Sequence, residues 1–590
     1  MKLSVPGIFL LATSCFAQTA AFTYPGITPI RPNGQGGRID WSAKLNLVAY
    51  DTISANGYYD VHTMNPDGSN DQCLTCNSTV LPGLHKGNPS FDFSGKWIVF
   101  QVEKAGTSSV FNQLASPGSG LFNDVWVMDV KGTVFYPLTS VPAMNSGVLH
   151  PHFNHAGTQV TWAQFVNPAP SPLGTWEVQI ADLVYNSGVP SLQNVKTYQP
   201  GIMPRFYETH GFSLDDQSVY LCANPDPAQK WYGADIYVFT PATGAFVDLT
   251  NTPNDWDEHA DLSPDGAHIV WISSTGIQLA ANNEKSDYWI MNVDGSNKRR
   301  LTWFNNPGFP ESQSSSVAAA TSAWSPDGAR FLGYVVTDNF GNSGPDLSIE
   351  IVAPAAQVST ASYAGGAIAP DAIIALFSRN MSVTPVPATL TPVPDALGTT
   401  NVTFTDANNT SFPTQLYYVS AGQVNYYVPS GAAPGTATVS VFRDGFMVAG
   451  GSVQVAAVNP GIFTANGTGS GVAAATYVTV TGGSVSPPAY VFACPGGAGT
   501  CVPAPIPLPA NSSVVVELYG TGLRHGNSST VTATAGGQNL IVQYSGAQST
   551  LLGLDQVNML VPQTFAGSGT VTINLSVDGV PANPVQLAFQ

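Results

Sequence analysis

The chain has 590 residues, which allows three or four domains with separate hydrophobic cores. Its 37 acidic and 19 basic residues give a net charge of -18, and this excess of negative charge argues against nucleic acid as a partner. The 58 glycines and 46 prolines, together with only 9% charged residues, favour strands and turns over solvated helices. The chain is therefore expected to be all-β.

The first residues have the pattern of a secretory signal. Lys2 precedes an apolar run at residues 8–12, and small residues follow up to Ala17. The pattern predicts a signal peptide over residues 1–17 and a secreted, periplasmic or cell-surface protein with no transmembrane segment. An alternative stays open, because residues 11–15 loosely resemble a lipobox and would make the protein a lipoprotein anchored through Cys15.

The first half of the sequence contains six copies of one repeat. Each copy opens with an aromatic or leucine residue before a turn, of which Ser-Pro-Asp-Gly is the clearest form, and an apolar strand follows. Most copies continue with an alternating strand, an Asp-Gly-like turn and a closing Leu-Thr, as in residues 59–75. Such small sheets become stable by stacking radially, so we predict a six-bladed β-propeller over residues 18–353, with residues 22–30 completing the last blade. The copies open at Trp41, Phe91, Phe153, Phe212, Leu262 and Trp324.

These motifs carry a family resemblance. The Trp-Ser-Pro-Asp-Gly turn at residues 324–328, the Met-Asn-x-Asp-Gly-Ser-Asn segments at residues 64–70 and 291–297, and the Leu-Thr pairs resemble the repeat of TolB-like propellers. The resemblance covers residues 22–352. It implies a six-bladed propeller of the kind found in periplasmic binding proteins and ahead of some peptidases, and it leaves the ligand open.

After Val352 the repeats stop and a second pattern begins. The segment at residues 423–429 recurs at residues 556–562, and short strands alternate with Gly and Pro turns. We predict two immunoglobulin-like β-sandwich lobes, at residues 354–460 and 461–590. Residues 363–366, 422–425 and 458–463 resemble an uncharacterised C-terminal domain of secreted acidobacterial proteins, which implies an accessory module outside the cytoplasm.

Histidines cluster just ahead of the innermost strands of three consecutive blades. Residues at this position of a propeller converge on one mouth of its central channel. We therefore predict a shared ligand site with a divalent metal ion as its cofactor, held by the three histidines His150, His210 and His259. The alternative is that each histidine only forms hydrogen bonds within its own blade. The predicted ligand-binding residues are His150, His152, Glu208, His210, Glu258 and His259.

The positions of the cysteines indicate structural roles and not catalytic ones. Cys73 with Cys76, and Cys494 with Cys501, are spaced for two local disulfides in an oxidising compartment. Cys222 lies on a predicted strand and is expected to be a buried free thiol. No Gly-x-Ser-x-Gly elbow occurs, and no catalytic residue is predicted.

Three functions are compatible with these patterns. The first is a non-catalytic binding protein whose propeller recognises a protein, peptide or glycan. The second is a metal-dependent, lyase-like carbohydrate enzyme, because the fold and histidine placement resemble oligogalacturonate lyases, with Lys86 and Arg205 near the predicted blade mouths. The third is a structural surface or adhesion protein.

Overall fold

The computed structural model describes residues 22–35, 37–106, 114–142, 145–168, 173–203, 205–227, 229–230, 232–277, 285–337 and 343–590. The predicted signal peptide, with Cys15, lies outside these residues. The described chain is all-β, as the composition predicts, and it divides into two compact units between Ile351 and Val352. Among the described residues, no helix has the length and apolar character needed to cross a membrane.

The described residues of the first unit contain twenty-four strands. Their bounds are β1 (Ile27–Gln35), β2 (Ile39–Ser42), β3 (Leu47–Ile53), β4 (Tyr59–Met64), β5 (Gln72–Cys73), β6 (Lys86–Phe91), β7 (Trp97–Glu103), β8 (Asn123–Asp129), β9 (Phe135–Pro137), β10 (Gly147–Phe153), β11 (Gln159–Asn167), β12 (Thr175–Asn186), β13 (Val189–Tyr198), β14 (Tyr207–Phe212), β15 (Val219–Ala223), β16 (Asp235–Thr240), β17 (Ala245–Asp248), β18 (Asp257–Leu262), β19 (His268–Ser273), β20 (Asp287–Asn292), β21 (Arg299–Arg300), β22 (Ala318–Trp324), β23 (Arg330–Val336) and β24 (Ser343–Glu350).

These strands form six four-stranded antiparallel sheets, which we number blades 1 to 6. Blades 1 to 5 take four consecutive strands each, from β2–β5 to β18–β21. The first strands of neighbouring blades contact each other in order, and β22 of blade 6 contacts β2 of blade 1. The six sheets thus close into a ring around a central channel, which is a β-propeller.

Blade 6 is completed by the start of the chain. Its strands are β22, β23, β24 and β1, and β1 runs antiparallel to β24 with Ile27 opposite Ile349. Both isoleucines are fully buried. The prediction that the segment near residues 22–30 closes the ring is confirmed.

The repeated Asp and Leu-Thr motifs have a common structural role. In blades 1, 2, 4 and 5 the threonine of Leu-Thr donates a hydrogen bond to the aspartate at or next to the start of the third strand, over 2.7 to 3.0 Å. The same threonine oxygen accepts the backbone N–H that follows that aspartate. These paired bonds hold the chain that follows the fourth strand against the third in each blade. The pairs are Asp60 with Thr75, Asp124 with Thr139, Asp235 with Thr250, and Asp287 with Thr302.

The second unit contains the remaining strands and two short 3-10 helices, Ser528–Thr530 and Gln563–Phe565. The strand bounds are β25 (Ala353–Pro354), β26 (Ala356–Ser359), β27 (Ala367–Ile368), β28 (Ile373–Phe377), β29 (Val386–Pro387), β30 (Ala396–Leu397), β31 (Thr400–Thr405), β32 (Ser411–Pro413), β33 (Leu416–Val419), β34 (Gln423–Tyr427), β35 (Gly435–Arg443), β36 (Phe446–Val455), β37 (Gly461–Ile462), β38 (Ala475–Thr481), β39 (Ser484–Val485), β40 (Ala489–Tyr490), β41 (Phe492–Ala493), β42 (Val502–Pro503), β43 (Pro505–Ile506), β44 (Ser513–Thr521), β45 (Thr532–Ala535), β46 (Gln538–Ala547), β47 (Asp555–Val561), β48 (Gly569–Val577), β49 (Val580–Pro581) and β50 (Val585–Phe589).

The two lobes of this unit are built differently. In the first lobe, a seven-stranded sheet containing β31, β35 and β36 and a five-stranded sheet containing β28 and β34 share one core, as in a sandwich. In the second lobe, the main strands belong to one continuous twelve-stranded sheet. Residues from both ends of that sheet pack into a single core, so the sheet folds back on itself.

The duplicated segment has the same local structure in both lobes. Gln423 donates a side-chain hydrogen bond of 2.8 Å to Asn425 on β34, and Gln556 donates one of 2.7 Å to Asn558 on β47. Each strand also pairs with an equivalent partner, β34 with β28 and β47 with β44. The repeated Gln-x-Asn is therefore a structural element of the strand.

Candidate metal and ligand site

The first strands of blades 3, 4 and 5 share a β-bulge that aims the histidines. The bulge gives His150 and His259 left-handed backbone angles, with φ of 45° and 57°, and gives Gly211 a φ of 92°. A bulge re-aims a side chain, and a non-glycine residue with positive φ costs of order 1–3 kcal/mol, a cost that recurs at functional sites. The register shifts lie between Leu149 and His152 in β10, between Thr209 and Phe212 in β14, and between Glu258 and Asp261 in β18.

Blade 2 has the same bulge with a different side chain. There Asn88 takes a φ of 50°, and its side-chain N–H donates a hydrogen bond of 2.7 Å to the carbonyl of Pro117. Asparagine tolerates left-handed angles well. Blade 2 therefore satisfies its own polar side chain, whereas blades 3 and 5 place an imidazole at the equivalent position.

The three predicted metal-binding histidines converge. One ring nitrogen from each of His150, His210 and His259 lies within 4.8 Å of the other two. The ring centroids of His150 are 5.5 Å from those of both His210 and His259, and the latter two are 5.7 Å apart. His152 lies beside them, with its ring 6.4 Å from that of His150. Residues more than a hundred positions apart in sequence thus share one small volume.

Glu208 lies among these imidazoles. Its Oε1 is 2.7 Å from Nε2 of His150, and its Oε2 is 3.9 Å from Nε2 of His210. The thiol of Cys222 donates a hydrogen bond of 3.2 Å to the same Oε2. Glu258 is farther from the centre and lies 3.7 Å from Nε2 of His259. Glu208 is therefore the carboxylate best placed to join the histidines.

The histidine cluster contains polar atoms without hydrogen bonds. Nε2 of His152 and His210 and Nδ1 of His259 are buried and have no hydrogen-bond partner, whereas Nε2 of His150 faces Glu208. Buried polar atoms are hydrogen-bonded in the great majority of cases. The described part of the cluster therefore contains three buried nitrogens that remain available to accept or donate a bond.

The protonation states suit metal ligation. Burial, followed by the charge of His150, lowers the pKa of His152 to about 3, and burial lowers the pKa of His259 to about 4. Burial also lowers the pKa of His210. For Glu208, burial opposes ionisation. The interactions of its carboxylate with His150, His259 and His210 outweigh this effect and hold its pKa well below the ordinary value. Neutral imidazoles and an ionised carboxylate are the forms that bind metal ions.

The cluster lines a cavity of about 330 Å³ in the channel, formed by residues from all six blades. Three aspartates are among the described residues that line it, Asp40, Asp92 and Asp261, and burial raises the pKa of two of them. Asp40 accepts a hydrogen bond from the backbone N–H of Phe91, and burial raises its pKa to about 6. Asp261 accepts one from the backbone N–H of Trp324, and burial followed by the charge of Asp40 raises its pKa. Both aspartates bridge neighbouring blades.

Two cations considered from the sequence do not reach the cavity. Lys86 is buried and forms an ion pair of 2.9 Å with Asp60. Neither Lys86 nor Arg205 is among the described residues that line the cavity, whereas Arg38 is. Arg38 and Lys44 line the cavity but were not identified from the sequence, and Arg38 lies 3.4 Å from Asp51.

Both predicted disulfides form, Cys73 with Cys76 and Cys494 with Cys501. His62 lies 3.8 Å from Sγ of Cys76, but a disulfide sulfur cannot act as a thiolate ligand. Cys222 is a buried free thiol as expected. Its contact with Glu208 was not anticipated, because strand periodicity does not reveal which neighbour a buried residue meets across a sheet.

No family model matches the sequence, and a search of characterised proteins finds no significant match. Solved structures with a similar fold include TolB from Acinetobacter baumannii, with 15% identity, a TM-score of 0.33, and coverage of 52% of this chain and 64% of that one. Oligogalacturonate lyase from Vibrio parahaemolyticus has 9% identity, a TM-score of 0.34, and coverage of 55% and 93%. The periplasmic gluconolactonase of Pseudomonas aeruginosa has 12% identity, a TM-score of 0.30, and coverage of 72% and 96%. The chain thus spans a little under two thirds of the TolB structure, and the shared feature is the fold.

Proposed function

We propose that the propeller is an extracytoplasmic binding protein whose channel holds a divalent metal ion through His150, His210 and His259. The observation that carries the proposal is the convergence of three imidazole nitrogens within 4.8 Å of one another, in a cluster where buried nitrogens of His210 and His259 lack hydrogen bonds. The low pKa values of His210 and His259 keep them neutral near pH 7, so no proton has to be removed from them before a metal binds.

The donor set favours a transition metal. Imidazole suits zinc, iron, copper and nickel, whereas calcium and magnesium prefer sites made of oxygen donors. Three histidines are the protein ligands of several open zinc sites, in which a further position is left for water or ligand. Glu208 is the carboxylate that would complete the set or hold a histidine in place, since it contacts His150 directly.

A site of this kind binds a ligand through an oxygen or nitrogen donor. The cavity of about 330 Å³ gives access to the cluster and is the size of a small ligand pocket. The two disulfides are consistent with a periplasmic or secreted protein. The second unit then serves as a spacer or attachment module.

A metal-dependent lyase is the second candidate, and one observation favours it. Asp40 lines the same cavity with its pKa raised to about 6, which is a range suited to proton transfer. The hydrogen bond that it accepts from Phe91 gives it a structural role as well. Turnover of acidic oligosaccharides that stops in an Asp40→Asn variant with intact metal would favour this candidate over simple binding.

Elemental analysis of the purified chain tests the metal site. We expect one zinc, iron or copper ion per chain, lost in a His210→Ala, His259→Ala double variant whose circular dichroism stays that of a β-protein. A His268→Ala variant is the matched control, because His268 starts β19 and is not among the described residues lining the cavity. A wild-type chain that takes up none of the three metals when they are added would overturn the proposal and leave a purely structural role.

A further inference from the structure

An apolar ring surrounds the mouth of the channel. It consists of the residue two positions after the one that opens each repeat, and we call it the collar. Phe93 and Leu214 are the largest members, with 52% and 51% of their surface exposed. All six members line the same cavity as the histidine cluster. The collar residues are Ala43, Phe93, His155, Leu214, Pro264 and Pro326.

Turn formation does not explain these side chains. In blades 4, 5 and 6 the turn is held by a serine that donates a hydrogen bond of 2.5 to 2.6 Å to the aspartate two residues later. The collar residue lies between the two and takes no part in that bond. About half of the surface of Phe93 and of Leu214 stays exposed despite their contacts with the neighbouring blades, and clustered exposed apolar side chains mark interaction surfaces.

The collar is also rigid where it is most aromatic. The ring of Phe93 stacks on that of His155, with centroids 4.1 Å apart. Nδ1 of His155 lies 2.9 Å from Asp216, which also accepts the backbone N–H of His155. Blades 2 and 3 therefore present a fixed apolar face that needs no reordering when a ligand arrives.

A partial acidic ring lies beside the collar, on blades 4, 5 and 6. Asp215, Asp265 and Asp327 each follow a collar residue directly, and a hydrogen bond from the neighbouring serine lowers the pKa of each. They are ionised at neutral pH, in a chain whose net charge is -18. Of the described residues lining the cavity, only Arg38 and Lys44 are cationic, and Arg38 is close to Asp51.

From the outside of the mouth inward, the channel therefore presents acidic side chains, then the apolar collar, and then the histidines of the proposed metal site. We infer that the channel mouth binds the carboxy-terminal end of a polypeptide, with its carboxylate at the metal ion and its last, apolar side chains on the collar. Lysine or arginine residues just before them complement Asp215, Asp265 and Asp327. This inference rests on the proposed metal site. A polyuronate fits less well, because its repeated carboxylates would approach the acidic ring.

The size of the cavity agrees with a chain end. A volume of about 330 Å³ is at the small end of the range for ligand pockets and admits a few side chains. A folded partner would have to bind on the collar alone, without reaching the histidines. A terminal carboxylate, in contrast, is carried on a narrow extended chain that enters a channel.

Fluorescence polarisation with the full, zinc-loaded chain tests the inference. The probe is a synthetic pool of fluorescein-labelled octapeptides, with the last two positions varied among Ala, Val, Leu and Phe and the preceding three among Lys, Arg and Gly. We expect saturable binding that weakens about tenfold or more when the peptide carboxylate is amidated, and by a similar factor when zinc is removed.

A Phe93→Ser, Leu214→Ser double variant should bind the pool about tenfold more weakly with its zinc content unchanged. The matched control is Val195→Ser, Val247→Ser, because these valines are 53% and 51% exposed and lie on the fourth strands of blades 3 and 4. Equal binding of the amidated pool, or no effect of the collar variant, would overturn the inference. So would tighter binding of oligogalacturonate than of the peptides. A zinc-loaded chain that binds no peptide refutes the inference alone, whereas a chain that binds no metal refutes the proposed function as well.

Discussion

The thiol of Cys222 donates a hydrogen bond of 3.2 Å to Oε2 of Glu208, whose other oxygen lies 2.7 Å from His150. Cys222 is on the second strand of blade 4 and Glu208 is opposite it on the first. The thiol is fully buried, and burial followed by the charge of Glu208 raises its pKa. Cys222 therefore stays protonated and acts as a donor that fixes the carboxylate.

Replacing Cys222 should change metal affinity through Glu208. Cys222→Ala removes the donor, and we expect metal affinity to fall by about tenfold, the lower end of the effect of removing a group that holds a metal ligand. Cys222→Ser retains a donor and should keep most of the affinity. Competition with a chromophoric chelator measures both. Equal affinity in the two variants would show that the thiol does not position Glu208.

The left-handed backbone at His150 allows substitutions that distinguish the effect of this residue on folding from its effect on metal binding. His150→Asn should fold with near wild-type stability, because Asn88 occupies the equivalent bulge of blade 2 with a φ of 50°. His150→Val should lose about 1–3 kcal/mol of unfolding free energy, since a β-branched residue tolerates positive φ poorly. Both variants should lose metal. Denaturant unfolding in the presence of chelator compares them, and a valine variant as stable as the asparagine variant would contradict the strain argument.

The buried histidines make the metal-free chain sensitive to acid. The pKa of His259 is about 4 in the folded protein and about 6.5 in the unfolded chain. At pH values between these two, the unfolded state therefore binds more protons than the folded state. The unfolding free energy should therefore fall as pH drops from about 7 to 4, with up to about 3 kcal/mol arising from His259. Urea unfolding at several pH values, with chelator present, measures the slope.

A His259→Asn variant should reduce that slope, because asparagine does not titrate and accepts the left-handed angle of 57°. His268→Asn is the control and should keep the wild-type slope. An unchanged slope in His259→Asn would mean that other groups account for the acid sensitivity.

Arg524 connects the two lobes of the second unit. Its Nε donates a hydrogen bond of 2.6 Å to Asp555, which is fully buried, and its guanidinium lies 3.4 Å from Asp371 in the first lobe. Arg524→Met should lower the unfolding free energy of this unit by about 3 kcal/mol, because it leaves a buried carboxylate without its cation. Asp395→Ala, at an exposed position of the first lobe, should have little effect. Calorimetry of the full chain checks both, and equal melting temperatures would contradict the prediction.

The periodic part of the fold could be predicted from sequence. Each blade carries its own turn signal and four of the six carry a Leu-Thr pair, so six sheets and the completion of the last blade follow from local patterns and from counting strands. The histidines could be grouped because Phe153, Phe212 and Leu262 mark equivalent positions in neighbouring blades. Rotational symmetry converts equivalent sequence positions into spatial neighbours.

Features that depend on non-local pairing could not be predicted. The bulges that direct His150 and His259 leave no clear sequence signal, since blade 2 has the same bulge with Asn88. The contacts of Cys222 and Arg38 are set by strand register, and a shift of one residue would turn either side chain to the other face. The continuous sheet of the second lobe likewise depends on pairings such as β45 with β48, which are distant in sequence.

The closure of blade 6 by β1 has a consequence for the order of folding. The strand formed first by a growing chain waits for a partner more than three hundred residues later, since Ile27 pairs with Ile349. Contacts of such long range slow folding. Until the pairing with β1 has formed, β24 has an unpaired edge that is open to association with other chains. An intermediate with five complete blades and an open sixth is therefore expected during folding, and its open edge would make it the form most prone to association.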